Sequence, residues 1–380
     1  MNLTRNSFLS ILCFGIAVLV FGSCRASASS PYPPSPVISG ITWDFSSLST
    51  AARGSDIWAA TWADDDNLYA VWGDGGGFDG TNSDGRVSLG VARIEGPPDS
   101  WIGSNVFGGK NPEAPATFPG KANSIIAIDG GLYMVVSEQG AWKRGKIGRS
   151  QDHGRTWTFN KGSFDRSDWD FSEPAGAFAG AVFLQFGRDY SGSRDEYVYV
   201  YSERERNDSN TELLLARVRK TEVPNRDAYE FFAGRDSSGM PRWSEMLTDA
   251  EAVFKDPAGV NWGFSAVYNP HIGRYLLTTR RHKKANGRLG AWSIFDSPEP
   301  WGPWTTVAYY NDWDKETPFE GVARQILYNF PPKWISDDGL NVWMIVSMND
   351  SFNLLKGVFA LHDSTSESNS PPAPSAAGAQ

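Results

Sequence analysis

Cysteine is nearly absent from this sequence, which has only two cysteines among its 380 residues, Cys13 and Cys24. Both lie in or beside an apolar N-terminal segment with the pattern of an export signal. Once that segment is removed or lipidated, no pair of cysteines remains to form a disulfide bond. The folded part must therefore be stabilised by the packing of its core.

Basic residues are fewer than acidic residues. The 35 lysines and arginines are outnumbered by 44 aspartates and glutamates, which gives a formal net charge of −9. A nucleic-acid partner would need a basic stripe facing its phosphates, and the sequence has no such stripe. We therefore expect no nucleic-acid partner and a neutral or basic substrate.

After the N-terminal segment, no apolar run approaches the roughly 20 residues that span a bilayer. Residues 1–28 have the pattern of a signal peptide, with an apolar stretch from Phe8 to Phe21. Two cleavage sites fit: one after Ala28, and a lipobox-like Phe21-Gly22-Ser23-Cys24 that would leave a lipid on Cys24. The sequence predicts a secreted protein or a cell-surface or periplasmic lipoprotein, with membrane contact only through Cys24.

Motifs of serine and metal hydrolases are missing too. No G-x-S-x-G elbow is present for a serine nucleophile. The glycine-rich stretch from Gly73 to Gly80 lacks the lysine and the strand-to-helix context of a phosphate loop, and we interpret it as a mobile loop. We expect no cofactor, because no metal-ligand spacing connects the four histidines. These are His153, His271, His282 and His362.

Turn residues and aromatic strands are abundant, with 39 glycines, 23 prolines and 16 tryptophans. A turn rich in Asp, Gly or Asn followed by an aromatic strand recurs five times, at intervals of 64 to 78 residues. That length fits a four-stranded sheet with its loops. Further strands, at 87–92, 213–218 and 290–295, are predicted to lie outside the aromatic ones. The five aromatic markers are Tyr69, Tyr133, Tyr197, Tyr275 and Trp343.

This repeat predicts an all-β fold, a five-bladed β-propeller over residues 40–362. The apolar faces of a blade can be buried only by its neighbours, and closure of the ring removes sheet edges and creates an axial funnel. A concanavalin-like sandwich is the rival fold, but it would not explain the five-fold spacing. Residues 29–39, rich in Pro and Ser, are predicted to be a linker and residues 363–380 a disordered tail. Calcium on the propeller axis is left open.

The segment Ser150–Trp157 fits the Asp-box pattern Ser-x-Asp-x-Gly-x-Thr-Trp. Physically this pattern describes a hairpin turn in which the aspartate accepts backbone N–H bonds and the tryptophan packs between strands. It indicates a fold and no chemistry, so we interpret His153 as a turn residue.

Two aspartates are the strongest chemical candidates. Asp56 is predicted to begin the innermost strand of the first blade and Asp74 to end the next strand, so that both could project into the funnel. Glycoside hydrolysis needs such a pair, one acid to protonate the leaving oxygen and one carboxylate to attack or to activate water. The alternative is that both aspartates are turn residues.

Other residues are predicted to shape the funnel. In the first copy of the repeat, Asp74 stands at the end of the aromatic strand. The second and third copies have an acidic residue at the corresponding position, and the fourth copy has an arginine. The predicted substrate-binding residues are Trp58, Trp62, Glu138, Glu173, Trp262 and Arg280. Tryptophans beside inter-strand loops could stack on sugar rings, and we expect two of five to do so. These five are Trp58, Trp62, Trp142, Trp262 and Trp313.

Several segments together resemble the domain-of-unknown-function family 4185, to which glycoside hydrolase family 183, the endo-D-arabinanases, belongs. The resemblance spans roughly residues 40 to 362, and its most specific motifs are WGDG and PKWISDDG. It implies a five-bladed propeller with a site in the axial funnel, and the family's two catalytic aspartates would fall on Asp56 and Asp74. The segments are GSDIWAATWADDDNLYAVWGDGGGF, FLQFGRDYSGSRDEYVYVYS, VYNPHIGRYLLTT, SPEPWGPWTTV and PPKWISDDGLNVWMIVSMND.

This sequence departs from the family pattern at Ile57 and Ala59, where Asn and Pro are expected. The sugar is therefore left open, and D-arabinan is implied only by the resemblance. Our leading hypothesis is an exported, monomeric glycoside hydrolase that acts on a polysaccharide through Asp56 and Asp74. The alternatives are a non-catalytic sugar-binding propeller and an interaction scaffold.

Overall fold

The computed structural model describes residues 29–140, 142–159, 170–281, 291–313 and 325–363. The predicted signal peptide with both cysteines, His282, and the predicted tail from residue 364 onward lie outside these residues. The described residues contain β-strands and short 3₁₀-helices but no α-helix. No helix in the described ranges could therefore cross a bilayer. The 3₁₀-helices cover Pro174–Gly176, Arg188–Tyr190, Lys220–Glu222, Arg226–Ala228, Leu247–Asp249 and Pro332–Trp334.

The strands are short and follow one another through turns and loops. In chain order they are β1 (Ile38–Ala51), β2 (Asp56–Trp62), β3 (Leu68–Gly75), β4 (Val87–Glu95), β5 (Ile102–Phe107), β6 (Lys121–Ile128), β7 (Gly131–Ser137), β8 (Gly145–Ser150), β9 (Thr158–Phe159), β10 (Val182–Gln185), β11 (Tyr197–Glu203), β12 (Glu212–Arg219), β13 (Glu230–Arg235), β14 (Pro241–Ser244), β15 (Phe254–Lys255), β16 (Asn261–Asn269), β17 (Arg274–Arg280), β18 (Trp292–Ser297), β19 (Thr305–Tyr310), β20 (Gln325–Asn329), β21 (Asn341–Met348) and β22 (Phe352–Leu361).

These strands form five antiparallel blades, which confirms the predicted five-bladed β-propeller. Blade 1 is β2–β5, blade 2 is β6–β9, blade 3 is β10–β14 with β15 paired to β12, and blade 4 is β16–β19. Blade 5 combines β20, β21 and β22 with the N-terminal strand β1, so the two ends of the chain close the ring. The innermost strands β2, β6, β10, β16 and β20 contact one another around the axis.

The aromatic markers lie on the second strand of every blade, β3, β7, β11, β17 and β21, as predicted. The strands predicted to lie outside them are β4, β12 and β18, the third strands of their blades. Apolar clusters fill the spaces between neighbouring blades. Between blades 4 and 5, for example, the rings of Trp292 and Tyr328 stack with centroids 4.2 Å apart. The sheet faces are thus used for packing, and the innermost strands of the blades border the axis.

The segment before β1 is docked on the propeller, which differs from the predicted linker over residues 29–39. The ring of Tyr32 packs against Phe254, with centroids 5.1 Å apart, and the Ser35 hydroxyl donates to Asp296 at 2.9 Å. The Ser35 backbone N–H donates to the Thr306 carbonyl at 2.8 Å, and the Thr306 N–H donates to the Pro33 carbonyl at 2.7 Å. An aromatic ring and a backbone ladder give this Pro-rich segment enough contacts to offset the entropy of ordering it.

The Asp-box of blade 2 has the predicted geometry. Asp152 accepts hydrogen bonds from the Thr156 backbone N–H at 2.9 Å and from its hydroxyl at 2.6 Å. The Trp157 indole donates to the Gly154 carbonyl at 2.9 Å, and Gly154 has φ 85°, which favours glycine. The motif therefore serves as the β8–β9 turn.

Candidate active site

A funnel-shaped cavity of about 380 Å³ opens at one end of the propeller axis. This is the end at which the innermost strands begin and the second strands finish, so residues from several blades converge there. Among the described residues, four carboxylates and two tryptophans line the cavity. The described residues that line it are Asp56, Ile57, Asp74, Lys121, Asn123, Trp142, Glu203, Arg206, Asn207, Asp208 and Trp262.

Asp56 and Asp74 lie on the same wall of the funnel, as predicted. Asp56 begins β2 and pairs directly with Gly73 of β3, the residue before Asp74. Asp56 is buried, with 5% of its surface exposed, whereas the Asp74 side chain is 45% exposed. The hairpin of blade 1 therefore presents two carboxyl groups with different access to solvent.

Lys121, the first residue of β6, reaches from blade 2 to this pair. Its ammonium group lies 2.5 Å from Asp74 Oδ1 and donates to the Ser88 carbonyl at 2.6 Å. A Cβ at Gly73 would lie 2.9 Å from Lys121 Nζ and 3.2 Å from Asp56 Oδ1. Gly73 thus leaves room for Lys121 beside both aspartates, and the ammonium group forms an ion pair with Asp74.

The backbone at this wall is strained. Ile57 has φ 81°, Trp58 φ 57° and Asp74 φ 58°, in the left-handed region that side chains rarely adopt. The strand register shifts between Ile57 and Ala59, which marks a β-bulge immediately after Asp56. Each such conformation costs about 1–3 kcal/mol, and such residues cluster at active sites. The strain therefore supports a functional role for the Asp56 and Asp74 positions.

The loop after Asp74 is held in place, which differs from the prediction of a mobile loop over Gly73–Gly80. The Asn105 side chain accepts from the Phe78 backbone N–H at 3.0 Å and donates to the carbonyls of Gly76 and Phe78 at 3.0 and 2.9 Å. Ser55 accepts from the Gly77 N–H at 2.9 Å. These bonds fix the base of the wall that carries Asp74.

Glu203 lies on another wall of the funnel, at the end of β11 in blade 3, and is 3% exposed. Its Oε2 is 3.7 Å from Arg206 Nη1. Burial raises the pKa of Glu203 to about 7, against the opposing charges of Arg206 and Arg280. The Arg206 guanidinium lies in the space that a Cβ at Gly180 would occupy.

Two tryptophans line the funnel, Trp142 on the β7–β8 loop and Trp262 near the start of β16. Arg280 is buried, and its guanidinium lies over the Trp262 ring, 4.6 Å from the ring centroid. Arg280 is not among the described residues that line the funnel. It therefore holds the Trp262 ring through the cation–π contact and does not itself face the cavity. An indole face held in this way can pack against the apolar face of a sugar ring.

The other predicted tryptophans do not reach the funnel, which corrects the predictions for Trp58 and Trp62. Trp58 is fully buried against Trp72 and Phe352. Trp62 lies at the far end of β2, where its indole donates to Asp66 at 2.9 Å. Trp313 is 1% exposed and belongs to an inter-blade core. Trp58 and Trp313 lie in the packing between blades and Trp62 lies at the opposite end of β2, so none of the three reaches the funnel.

Glu138 and Glu173 also lie outside the described lining, which corrects their predicted role in shaping the funnel. Glu138 is buried in an ion pair with Arg144, whose Nε and Nη2 donate to its two oxygens at 2.7 and 2.6 Å. Glu173 pairs with Arg226 beside the short helix that begins at Pro174. Both acids therefore stabilise loops.

A group that could hold a metal ion lies at the opposite end of β2. Ligand atoms of Asp64, Asp65 and His153 lie within 4.8 Å of one another. The fold brings them together across the boundary of blades 1 and 2, which histidine spacing alone did not indicate. His153 Nε2 already lies 2.8 Å from Asp64 Oδ1, and Tyr69 donates to Asp65 at 2.8 Å. These bonds give His153 a structural role.

Sequence reasoning missed several lining residues, Lys121, Asn123, Arg206, Asn207 and Asp208. Two of them could have been found from their position in the repeat. Lys121 and Asn123 lie at the start of the innermost strand of blade 2, as Asp56 lies at the start of the innermost strand of blade 1. The segment Arg206–Asp208 belongs to the β11–β12 hairpin loop, whose direction depends on backbone contacts such as the Arg206 N–H to the Ala175 carbonyl at 3.0 Å.

The family model of a domain of unknown function, DUF4185, matches residues 116–326, more than half of the 380 residues. The match is narrower than the predicted residues 40 to 362 and covers blades 2 to 4. Asp56 and Asp74, in blade 1, lie outside it. A search of curated proteins finds no match to this chain.

Solved structures with a similar fold include glycoside hydrolases. The α-L-arabinofuranosidase of Podospora anserina, in complex with cellotriose, has a TM-score of 0.51 and 10% identity, covering 85% of this chain and 98% of that chain. A family 62 hydrolase in complex with xylotriose has a TM-score of 0.48 and 12% identity, and the match covers 80% of this chain and 92% of that chain. The catalytic domain of the Coprinopsis cinerea family 62 α-L-arabinofuranosidase has a TM-score of 0.47 and 12% identity, and the match covers 87% of this chain and 97% of that chain. At these identities the likeness shows the fold alone.

Proposed function

Because the chain belongs to the DUF4185 family and folds as a five-bladed propeller, we propose that it is a glycoside hydrolase that cleaves a polysaccharide in its axial funnel. Fold likeness to glycoside hydrolases supports this proposal but does not carry it. The observation that carries it is one cavity in which carboxyl groups from two blades face tryptophan side chains.

Asp56 and Asp74 are the proposed catalytic aspartates. Cleavage of a glycosidic bond requires a carboxylate near the anomeric carbon, either to attack it or to take a proton from water. Asp74 is suited to this task because its ion pair with Lys121 holds the carboxyl group in place while the side chain stays partly open to the funnel. Asp56, on the same hairpin and beside Lys121, completes this wall of the site.

The proposed substrate is an oligo- or polysaccharide, with D-arabinan as the first candidate because of the resemblance to endo-D-arabinanases. The arabinofuranosidase of similar fold is in complex with such an oligosaccharide, cellotriose. The residues that would meet the sugar are Trp142, Trp262, Arg206, Asn207 and Asp208, which offer ring faces and hydrogen-bonding groups. We also propose that the protein is exported and monomeric, released or anchored through Cys24.

The experiment is an assay of reducing-end release by purified residues 29–363 on a panel of plant and mycobacterial arabinans and other polysaccharides. We expect release from one class of polymer. Saturable binding to a polymer without release would favour the second candidate, a sugar-binding propeller. Neither release nor binding on the whole panel would contradict the proposal.

Replacement of Trp262 by alanine is expected to weaken substrate binding. Loss of a stacked ring removes about 1.5–3 kcal/mol of apolar burial, which corresponds to an increase in KM of about 10-fold to 100-fold. The measurement is steady-state kinetics on the cleaved polymer. Trp62→Ala is the control, because Trp62 lies at the end of β2 that is remote from the funnel. Its KM should stay within about twofold of the wild-type value. Equal effects of the two substitutions would contradict a substrate contact at Trp262.

A further inference from the structure

A second, much smaller cavity lies on the propeller axis. Its volume is about 20 Å³, and the described residues that line it belong to the innermost strands β2, β6, β10, β16 and β20 or directly follow β20. None of these described residues is charged. Asn123 lines both this cavity and the funnel, so the two spaces adjoin. The polar residues of the small cavity are Asn123, Ser124, Gln185, Ser265 and Asn329.

Two buried asparagines that line this cavity each have a polar atom without a hydrogen-bond partner among the described residues. Asn329 is 6% exposed, and its Nδ2 donates to the carbonyls of Trp58 and Ile345 at 3.1 and 3.2 Å. Its Oδ1 has no partner there. Asn123 is 2% exposed, and its Nδ2 has none either. A buried polar atom without a partner costs free energy, so each of these atoms calls for one.

An irregularity of β6 brings Asn123 to the boundary between the two spaces. The register of β6 with β7 shifts between Ala122 and Ile125, which marks a β-bulge at Asn123 and Ser124. A bulge changes the direction of the side chains that it carries. Gln185 of β10 donates from Nε2 to the Ile125 carbonyl at 2.8 Å, so the inner strands of blades 2 and 3 are fixed against each other beside the cavity.

The size and the chemistry of the cavity select its ligand. A cavity needs about 10–15 Å³ to hold a water molecule, so this one has room for a single water. The two unpartnered atoms are a donor and an acceptor, and water serves both. Calcium takes about six to eight oxygen ligands, usually with carboxylates among them, and the described lining supplies no carboxylate. The lining therefore favours water over calcium.

We propose that this cavity binds one water molecule, which bridges Asn123 Nδ2 and Asn329 Oδ1. The water accepts a hydrogen bond from Nδ2 and donates one to Oδ1, which fixes the Asn123 amide with its oxygen towards the funnel. Asn123 is then a sugar-binding residue that accepts a hydrogen bond from a substrate hydroxyl, and Asn329 is its positioning residue. The roles of the two asparagines rest on the proposed glycosidase function, whereas the water site does not.

The first test is a high-resolution crystal structure of the wild type, from crystals grown with EDTA and from crystals grown with calcium chloride. We expect the same single peak in both, about 2.7–3.2 Å from Asn123 Nδ2 and from Asn329 Oδ1. A cavity without a peak would overturn the water site. A peak that requires calcium and has oxygen ligands at about 2.3–2.6 Å would also overturn it.

The second test is a double-mutant cycle on the cleaved polymer, with Asn123→Ala, Asn329→Ala and the double variant. Asn123→Ala should raise KM about threefold to tenfold, the effect of one lost hydrogen bond, and leave kcat nearly unchanged. Asn329→Ala should raise KM because Asn123 is no longer fixed. The double variant should have the KM of Asn123→Ala, because Asn329 acts only through Asn123. Effects on KM that multiply in the double variant would contradict the positioning role.

Asn353→Ala is the matched control. Asn353 is another buried asparagine of blade 5, and its Nδ2 donates to the carbonyls of Val346 and Met348 at 3.2 and 3.1 Å. It is not among the described residues that line either space. Its replacement should lower stability and leave KM within about twofold of wild type. If it raises KM as much as Asn329→Ala does, the positioning role is wrong.

The outcomes separate this inference from the proposed function. An inactive wild type that contains the bridging water would remove the glycosidase proposal alone. An active wild type without that water would remove this inference alone. If Asn329→Ala does not fold, the crystal structures still test the water site, and an unchanged KM in Asn123→Ala would overturn the role of Asn123 in sugar binding.

Discussion

Replacement of Asp74 by asparagine is expected to lower kcat on the cleaved polysaccharide about a thousandfold or more while the fold stays intact. An amide of the same shape can neither attack the anomeric carbon nor take a proton from water. Asp56→Asn should cause a loss of similar size, because both residues form the strained wall of the funnel. The measurement is initial-rate reducing-end release, with circular dichroism to verify the fold.

Asp84→Asn is the control for these two variants. Asp84 lies on the same blade and pairs with a lysine at 2.8 Å, as Asp74 does at 2.5 Å, but its side chain is 54% exposed and outside the funnel lining. Its activity should stay within about twofold of wild type. If Asp74→Asn and Asp84→Asn are equally active, Asp74 has no catalytic role.

Replacement of Trp58 by alanine is expected to lower the free energy of unfolding by about 3–5 kcal/mol, the range for removal of a fully buried large aromatic side chain. Trp58 is 0% exposed, packs against Trp72, Phe78 and Phe352, and donates its indole N–H to the Ser55 carbonyl at 3.0 Å. The measurement is denaturant unfolding of both proteins. This large effect would establish Trp58 as a core residue between blades 1 and 5.

Trp262→Ala serves as the counterpart, because Trp262 is partly exposed in the funnel and should cost far less stability. We expect Trp58→Ala to affect unfolding and Trp262→Ala to affect KM. If Trp58→Ala lowers the free energy of unfolding by less than about 1 kcal/mol, this ring is not part of the core. The predicted role of Trp58 in sugar binding would then have to be considered again.

Much of the architecture was readable from the sequence because blades repeat. Each copy of the pattern must bury its faces against the next, so the aromatic markers fall on second strands, and the fivefold count follows from their spacing. Asp56 and Asp74 were readable for the same reason: a hairpin that starts and ends with a carboxylate places both at one strand end. The resemblance implied the same two positions, but the DUF4185 match covers residues 116–326 and does not reach them, so their catalytic role stays a prediction.

The rest of the site depended on contacts that one strand does not encode. Trp58 follows Asp56 by two residues, but it packs on blade 5 because the faces of a propeller sheet meet their neighbours. Glu138 and Glu203 follow equivalent strands, yet Glu138 pairs with Arg144 and only Glu203 faces the funnel. Lys121 reaches Asp74 only because blade 2 lies beside blade 1. Equivalent positions thus acquire different roles from their loops and neighbours.

The most direct test of a catalytic site in the axial funnel is a crystal structure of Asp74→Asn soaked with an oligosaccharide of the polymer that the wild type cleaves. We predict that the sugar lies in the funnel, packs against Trp262, and places one glycosidic bond beside the blade 1 wall that carries Asp56 and Asp74. An oligosaccharide bound elsewhere on the propeller, with an empty funnel, would contradict the proposed site.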